Sequence, residues 1–122
     1  MSSLRKRAIW VLQLALMVVF VGAGLSKLAG RPEMVAVFGR IGLGQGFRLV
    51  TGTLEIVGGL AMLWPRAAWL GAALLACVMI GAFAAHLLVL GGSLAPPAIL
   101  LVLALCVLWA RRPRPQNPSV AS

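Results

Sequence analysis

Glu55 is the residue whose chemistry most needs an explanation. It is one of only two acidic side chains in a chain of 122 residues, and it sits inside the apolar stretch Arg48–Pro65, RLVTGTLEIVGGLAMLWP. A charged side chain at the centre of a membrane helix costs on the order of 2.5–3.5 kcal/mol on insertion scales. A carboxylate there has to face other helices, and to be paired or protonated. Arg48, Thr51 and Glu55 are spaced i, i+3 and i+7, on one helix face. Lys27 ends an earlier apolar run, and His86 lies near the end of a later one. Lysine has a flexible stem that can extend inward. The expected polar site is therefore a Glu55–Lys27 pair, with Thr51 or His86 as a further hydrogen-bond partner and Arg48 above them. Such a set could hydrogen-bond a ligand and relay protons in a protected place. The plainer alternative is that the charges only lock helices together, as polar residues do in membrane bundles.

The remaining chemistry is sparse. Cys77 and Cys106 both lie in apolar runs and form no CxxC pair, so no thioredoxin-like or zinc signature is present. They read as small apolar packing residues. His86 is the sole histidine, which excludes a bis-histidine haem built from this chain alone, and no metal site is expected. No cofactor-ligand set is visible, and so no complete catalytic set.

Composition decides what must hold these residues. The side chains are 61% hydrophobic and 11% charged, against about 45–50% apolar in ordinary soluble domains. So little polar surface cannot cover a soluble globule, and the membrane is the expected solvent. The net charge of +9 would suggest nucleic acid in a soluble protein. Here the positive charges flank apolar runs, which points to membrane topology and anionic lipids instead. No nucleic-acid partner is expected.

The apolar runs predict four spans, at about 8–28, 47–64, 67–90 and 95–110. A cleaved signal peptide with processing near Val21-Gly22-Ala23 competes for the first run, whose length favours a retained span. Between the first two spans, Arg31-Pro32-Glu33 looks like a helix start. Met34, Val37, Phe38 and Ile41 then recur at helical spacing before Gly42. The expectation is a short amphipathic helix near 32–41 on the membrane surface, with an irregular loop as the alternative. Residues 111–122 read as a basic, proline-rich, disordered tail. The fold class is thus an all-α, up-down bundle in one domain over 1–110. Gly52, Gly58 and Gly59 on the second span are candidates for close helix packing. So are Ala73, Cys77, Gly81 and Ala85, every four residues on the third.

With four spans, both termini and the 65–66 turn share one side. That side carries Arg5, Lys6, Arg7, Arg66, Arg111, Arg112 and Arg114, against Lys27, Arg31, Arg40 and Arg48 on the other. The positive-inside rule puts the first set, with both termini, in the cytoplasm. Trp10, Trp64, Trp69 and Trp109 all fall at that same interface, where tryptophan belts are expected.

Three stretches carry a resemblance. Val21-Gly22-Ala23-Gly24-Leu25-Ser26-Lys27-Leu28 resembles the first-helix ending of the DoxX-like membrane proteins. Gly52-Thr53-Leu54-Glu55-Ile56-Val57-Gly58-Gly59-Leu60 resembles the second-helix motif of that family, and Met79 through His86 its third-helix ending. The resemblance implies a four-helix integral membrane protein. It also implies a possible place beside redox systems, since some relatives are membrane partners in sulfur-compound oxidation that delivers electrons to quinone. This chain lacks an extra soluble domain, a flavin or haem motif and a cysteine pair. A self-sufficient oxidoreductase is therefore not expected. The reading is an accessory membrane subunit, quinone-linked, working with a soluble or membrane oxidoreductase that supplies electrons. The alternatives are a structural or interaction protein, including a homo-oligomer, and, ranked last, a small transporter, which would need paired halves.

Overall fold

A computed structural model describes residues 2–114, and all regular structure among them is helical. Helix α1 runs Ser3–Leu28, α2 Pro32–Ile41, α3 Gln45–Ala61, α4 Ala68–Ala85 and α5 Ala95–Arg111. A wider turn of π-helix, His86–Leu90, extends α4.

The ends of these helices depart from the expected spans for local reasons. α1 starts at Ser3, not near residue 8, because Ser2 caps it: its Oγ accepts from the Arg5 N–H at 3.2 Å. The basic head is thus the first turn of the helix. α3 begins at Gln45 and ends at Ala61, short of Trp64. There Met62, Leu63 and Trp64 tighten into turns, donating to Gly59, Leu60 and Ala61 respectively. Arg111 is the last residue of α5 and not part of a tail. The rest of the expected tail from 115 onward lies outside the described residues. Residues 32–41 are helical, with Pro32 at the first turn and Gly42 closing the helix in the left-handed region at φ 83°.

α1 and α3 run antiparallel at very short range, and glycine makes this possible. A Cβ on Gly24 would lie 2.6 Å from the Gly52 carbonyl oxygen, and one on Gly52 2.9 Å from the Gly24 oxygen. The α3–α4 contact is built the same way, since a Cβ on Gly71 would lie 2.7 Å from the Gly58 oxygen. Gly59 faces α1 beside Val21 and Met17. α5 packs on α4 and closes the ring against α1. The core between them holds Leu16, Phe20, Met62, Ala72, Leu75, Met79, Ala104 and Val107.

The expected small-residue stripe on α4 is not its packing face. Cys77 and Gly81 are exposed, and a Cβ on Gly81 meets nothing within 4 Å. The buried face is Ala68, Gly71, Ala72, Leu75, Ala76 and Met79, about a quarter-turn or more away. Every position of α4 is apolar, so periodicity could not distinguish one face from another.

Helices Ser3–Leu28 and Ala68–Leu90 are long and apolar enough to cross a membrane. Ala95–Arg111 is a shorter apolar helix. For reference, the end of the bundle carrying Trp10, Trp64, Trp69 and Trp109 is called the inner end, and the opposite end the outer end.

Candidate functional site

The site lies in the outer half, between α3 and α4 and beneath α2. The Gly58–Gly71 contact closes the inner half of this helix pair. Toward the outer end the two helices enclose a cavity of about 770 Å³. Its walls are mainly apolar: Phe38, Phe47, Leu54, Leu74, Val78 and Met79 contribute. Lys27, Thr51, Glu55 and His86 are its polar lining.

Glu55 is 1% exposed, the most buried charged group among the described residues. It is held by α3, whose glycine face brings α1 close enough for Lys27 to reach it. Lys27 Nζ lies 2.7 Å from Glu55 Oε1. The contact is an ion pair at hydrogen-bonding distance. The ammonium carries three donors. Beyond Glu55, no described residue accepts from it.

Arg48 joins the site from behind. Its guanidinium donates to the Lys27 carbonyl oxygen, and its Nε donates to Gln45 Oε1 at 2.8 Å. It thus fixes the end of α1, from which the Lys27 side chain projects, and makes no hydrogen bond or ion pair with Glu55. Thr51 and His86 line the same cavity, but neither is the further partner of Glu55 that the spacing suggested. Thr51 Oγ1 donates to the Phe47 carbonyl one turn back, at 2.8 Å, as hydroxyls in helices commonly do. His86 Nδ1 donates to the Gly91 carbonyl at 3.0 Å. That bond exists because the chain widens into the π-turn: Gly91, at φ 70°, returns its own N–H to the His86 carbonyl at 2.8 Å. A carbonyl can only accept, so Nδ1 carries the proton and neutral His86 has its acceptor at Nε2.

α2 lies over the outer mouth. Phe38 is 4% exposed and meets the Phe47 ring at 5.8 Å between centroids. Arg40 donates to the Leu90 carbonyl at 2.8 Å, and Gln45 to the Val35 carbonyl at 3.1 Å. The helix is thereby tied to both α3 and the π-turn.

A second polar knot sits at the inner end, and sequence reasoning passed over it. Gln13 is fully buried on α1. Its Nε2 donates to the Met62 carbonyl at 2.9 Å, and its Oε1 accepts from Arg111 Nε at 2.6 Å. Arg111 also lies over the Trp10 ring, 5.4 Å from its centroid. One amide thus joins α1, the end of α3 and the end of α5. Its signal was in the sequence: a lone glutamine in an apolar span needs an internal partner. Gly24 and Gly71, the partners of Gly52 and Gly58, were also missed, since only their apposition marks them out. No group of three His, Cys, Asp or Glu that could hold a metal ion occurs among the described residues.

Described residues whose regular structure is all helical, with two membrane-length apolar helices among them and a buried carboxylate paired across two helices, have the character of a membrane protein. A family model described as the DoxX-like family matches residues 11–109, most of the chain and every residue of the outer site. The chain belongs to the DoxX-like family of membrane proteins. No curated protein and no solved structure matches it.

Proposed function

We propose that this chain crosses the membrane four times, with both termini cytoplasmic. We propose further that it serves a redox system as an accessory membrane subunit whose outer cavity takes a quinone head group. The observation that carries the second part is the Lys27–Glu55 pair at the closed end of an apolar cavity of about 770 Å³. The donors of Lys27 that Glu55 leaves unused suit a quinone carbonyl, which accepts hydrogen bonds. The mainly apolar walls suit a hydrophobic ring. When bound, the quinone would supply the two-electron acceptor chemistry, with electrons coming from a partner oxidoreductase. Lys27 would hold and orient the head group, and Glu55 would hold Lys27 and stand within reach of a proton transfer. α2, α3 and α4 would exclude water.

The four-span topology draws support from the charge distribution. Arg5, Lys6, Arg7, Arg66, Arg111, Arg112 and Arg114 lie toward the inner end, with the four tryptophans. Anionic lipids of the cytoplasmic leaflet are the matching surface. α3, at 17 residues or about 25 Å, is short for a span. Flanking residues and local bilayer thinning make up the difference.

The test is equilibrium binding of a decyl-tailed benzoquinone to the full chain in lipid nanodiscs. The double substitution Lys27→Met with Glu55→Gln, which keeps the two side chains uncharged together, is expected to weaken binding at least about tenfold. Unchanged affinity in a folded double variant removes the pair from the role; no binding by the wild-type chain removes the quinone.

A second reading has its own observation. The pair and the Arg48–Lys27 carbonyl bond both join α1 to α3 directly beside the Gly24–Gly52 contact. That placement suits a bundle lock in a structural or interaction protein. This reading predicts that the double variant binds partners normally once its stability is restored.

A further inference from the structure

The outer cavity has one closed end and one open side, and the open side has a definite chemistry. At the closed end stand Glu55, 1% exposed, and Met79, 6% exposed. The open side is framed on α3 by Val50 and Leu54, on α4 by Cys77 and Gly81, and on the π-turn by Leu88. Val50 and Leu88 are 55% and 77% exposed, and Cys77 and Gly81 are also exposed. The gap is therefore on the flank of the bundle, while the end face above it carries α2 with its buried Phe38.

Depth identifies what lies outside the gap. Gly81 is ten residues before the Gly91 turn, about 15 Å along the helix axis. Glu55 is seven residues past Arg48, roughly 10 Å deep by the same measure. In the membrane orientation proposed above, both levels lie within the hydrocarbon. An opening at that depth faces acyl chains, not water. Gly81 lines the cavity at its exposed side, and nothing lies within 4 Å of where its Cβ would stand. A Cβ there would enter open space.

We infer that the cavity binds a long-tailed membrane lipid, its polar head at the Lys27–Glu55 pair and its apolar tail leaving sideways over Gly81. The occupant arrives through the bilayer, and Gly81 is the sill of the portal. The charge pair requires a polar head bearing a hydrogen-bond acceptor for the ammonium. The apolar frame of the opening requires a tail that stays in hydrocarbon. The inference rests on the quinone-type reading above and adds the direction of access and the need for a tail.

The experiment compares two probes, a decyl-tailed benzoquinone and the tail-less dimethoxybenzoquinone, on the full chain in nanodiscs. Gly81→Phe is compared with Gly22→Phe, whose site on α1 is also exposed and free of neighbours but lies outside the cavity. Gly81→Phe is expected to weaken the tailed probe about tenfold or more and to leave the tail-less probe within about twofold. Gly22→Phe is expected to change neither. Gly81→Leu provides the milder obstruction should the phenylalanine variant unfold, with thermal unfolding as the check on both. If the wild-type chain binds both probes and filling Gly81 leaves the tailed probe unaffected, the portal is overturned while the head-group site stands. If the wild-type chain binds neither probe, the head-group reading fails and the portal falls with it. If filling Gly81 changes the oligomeric state and not binding, the open side belongs to a second copy of the chain, and the portal is again overturned.

Discussion

Replacing Lys27 by methionine removes the ammonium 2.7 Å from Glu55 Oε1 and leaves a similar stem in place. Glu55 cannot then turn to solvent. Its side chain is 2% exposed, its stem is short, and its helix is held against α1 by the Gly24–Gly52 contact. Leaving one member of a buried pair uncompensated costs about 3–5 kcal/mol in soluble proteins. The converse change, Glu55→Gln, is expected to cost less, about 1–3 kcal/mol. Lys27 is 16% exposed near the outer end of α1, so its flexible stem can carry the ammonium outward. The double substitution is expected to cost less than Lys27→Met alone, because it removes the orphaned charge. That corresponds to a coupling energy of up to about 3 kcal/mol. Reversible unfolding of the four proteins in mixed micelles, at one lipid composition, measures the cycle. A coupling indistinguishable from zero refutes the pair as an energetic unit. So does a Glu55→Gln change that costs as much as Lys27→Met, since the order of the two singles follows directly from their different exposures.

Gln13→Leu keeps the volume of the buried amide and removes both its bonds. It should destabilise by about 1–3 kcal/mol, read by the same unfolding assay, and a neutral result would mean that water or lipid satisfies Met62 and Arg111 instead. Gly52→Val should prevent the α1–α3 approach and with it the Lys27–Glu55 contact, because its Cβ alone would stand 2.9 Å from the Gly24 oxygen and from Lys27 Cβ. Its loss of stability should exceed that of Gly22→Val, where the added atoms meet nothing. Arg40→Ala removes the tie from α2 to the Leu90 carbonyl. Faster amide hydrogen exchange in 32–41 is expected, with exchange in α3 unchanged; equal rates in α2 would show that the Phe38–Phe47 contact and the Gln45–Val35 bond hold it without Arg40. For the topology, single cysteines at Ser3 and Ser93, in a chain with Cys77 and Cys106 replaced by serine, should react with an impermeant thiol reagent from opposite faces of sealed vesicles. Reaction from the same face would exclude four spans.

Much of the architecture was legible in the residues because apolar length, proline and glycine act locally. Pro32 and Gly42 bracket α2 by the backbone angles they favour, and Pro96 and Pro97 suit the first turn of α5. Glu55 in an apolar run demanded a partner, and Lys27 was the basic residue whose stem and position allowed it. The helix ends were less legible. The Ser2 cap and the turns at Met62, Leu63 and Trp64 depend on individual hydrogen bonds that hydropathy does not register.

Which residues met across helices was decided only in three dimensions. α4 is apolar on every face, so its packing side was set by the partners it found: Gly71 against Gly58, and Leu75 and Met79 in the core. Cys77 and Gly81, regularly spaced and small, were left at the open side of the cavity. Thr51 and His86 kept their places around the site, but each gave its hydrogen bond to a nearby carbonyl at short sequence separation. Gln13 found Met62 and Arg111, which are 49 and 98 residues away in the chain. Charge and apolar length are properties of a stretch and can be read from it. The closeness of two backbones, and the cavity left where they part, belong to pairs of stretches and exist only once the helices have packed.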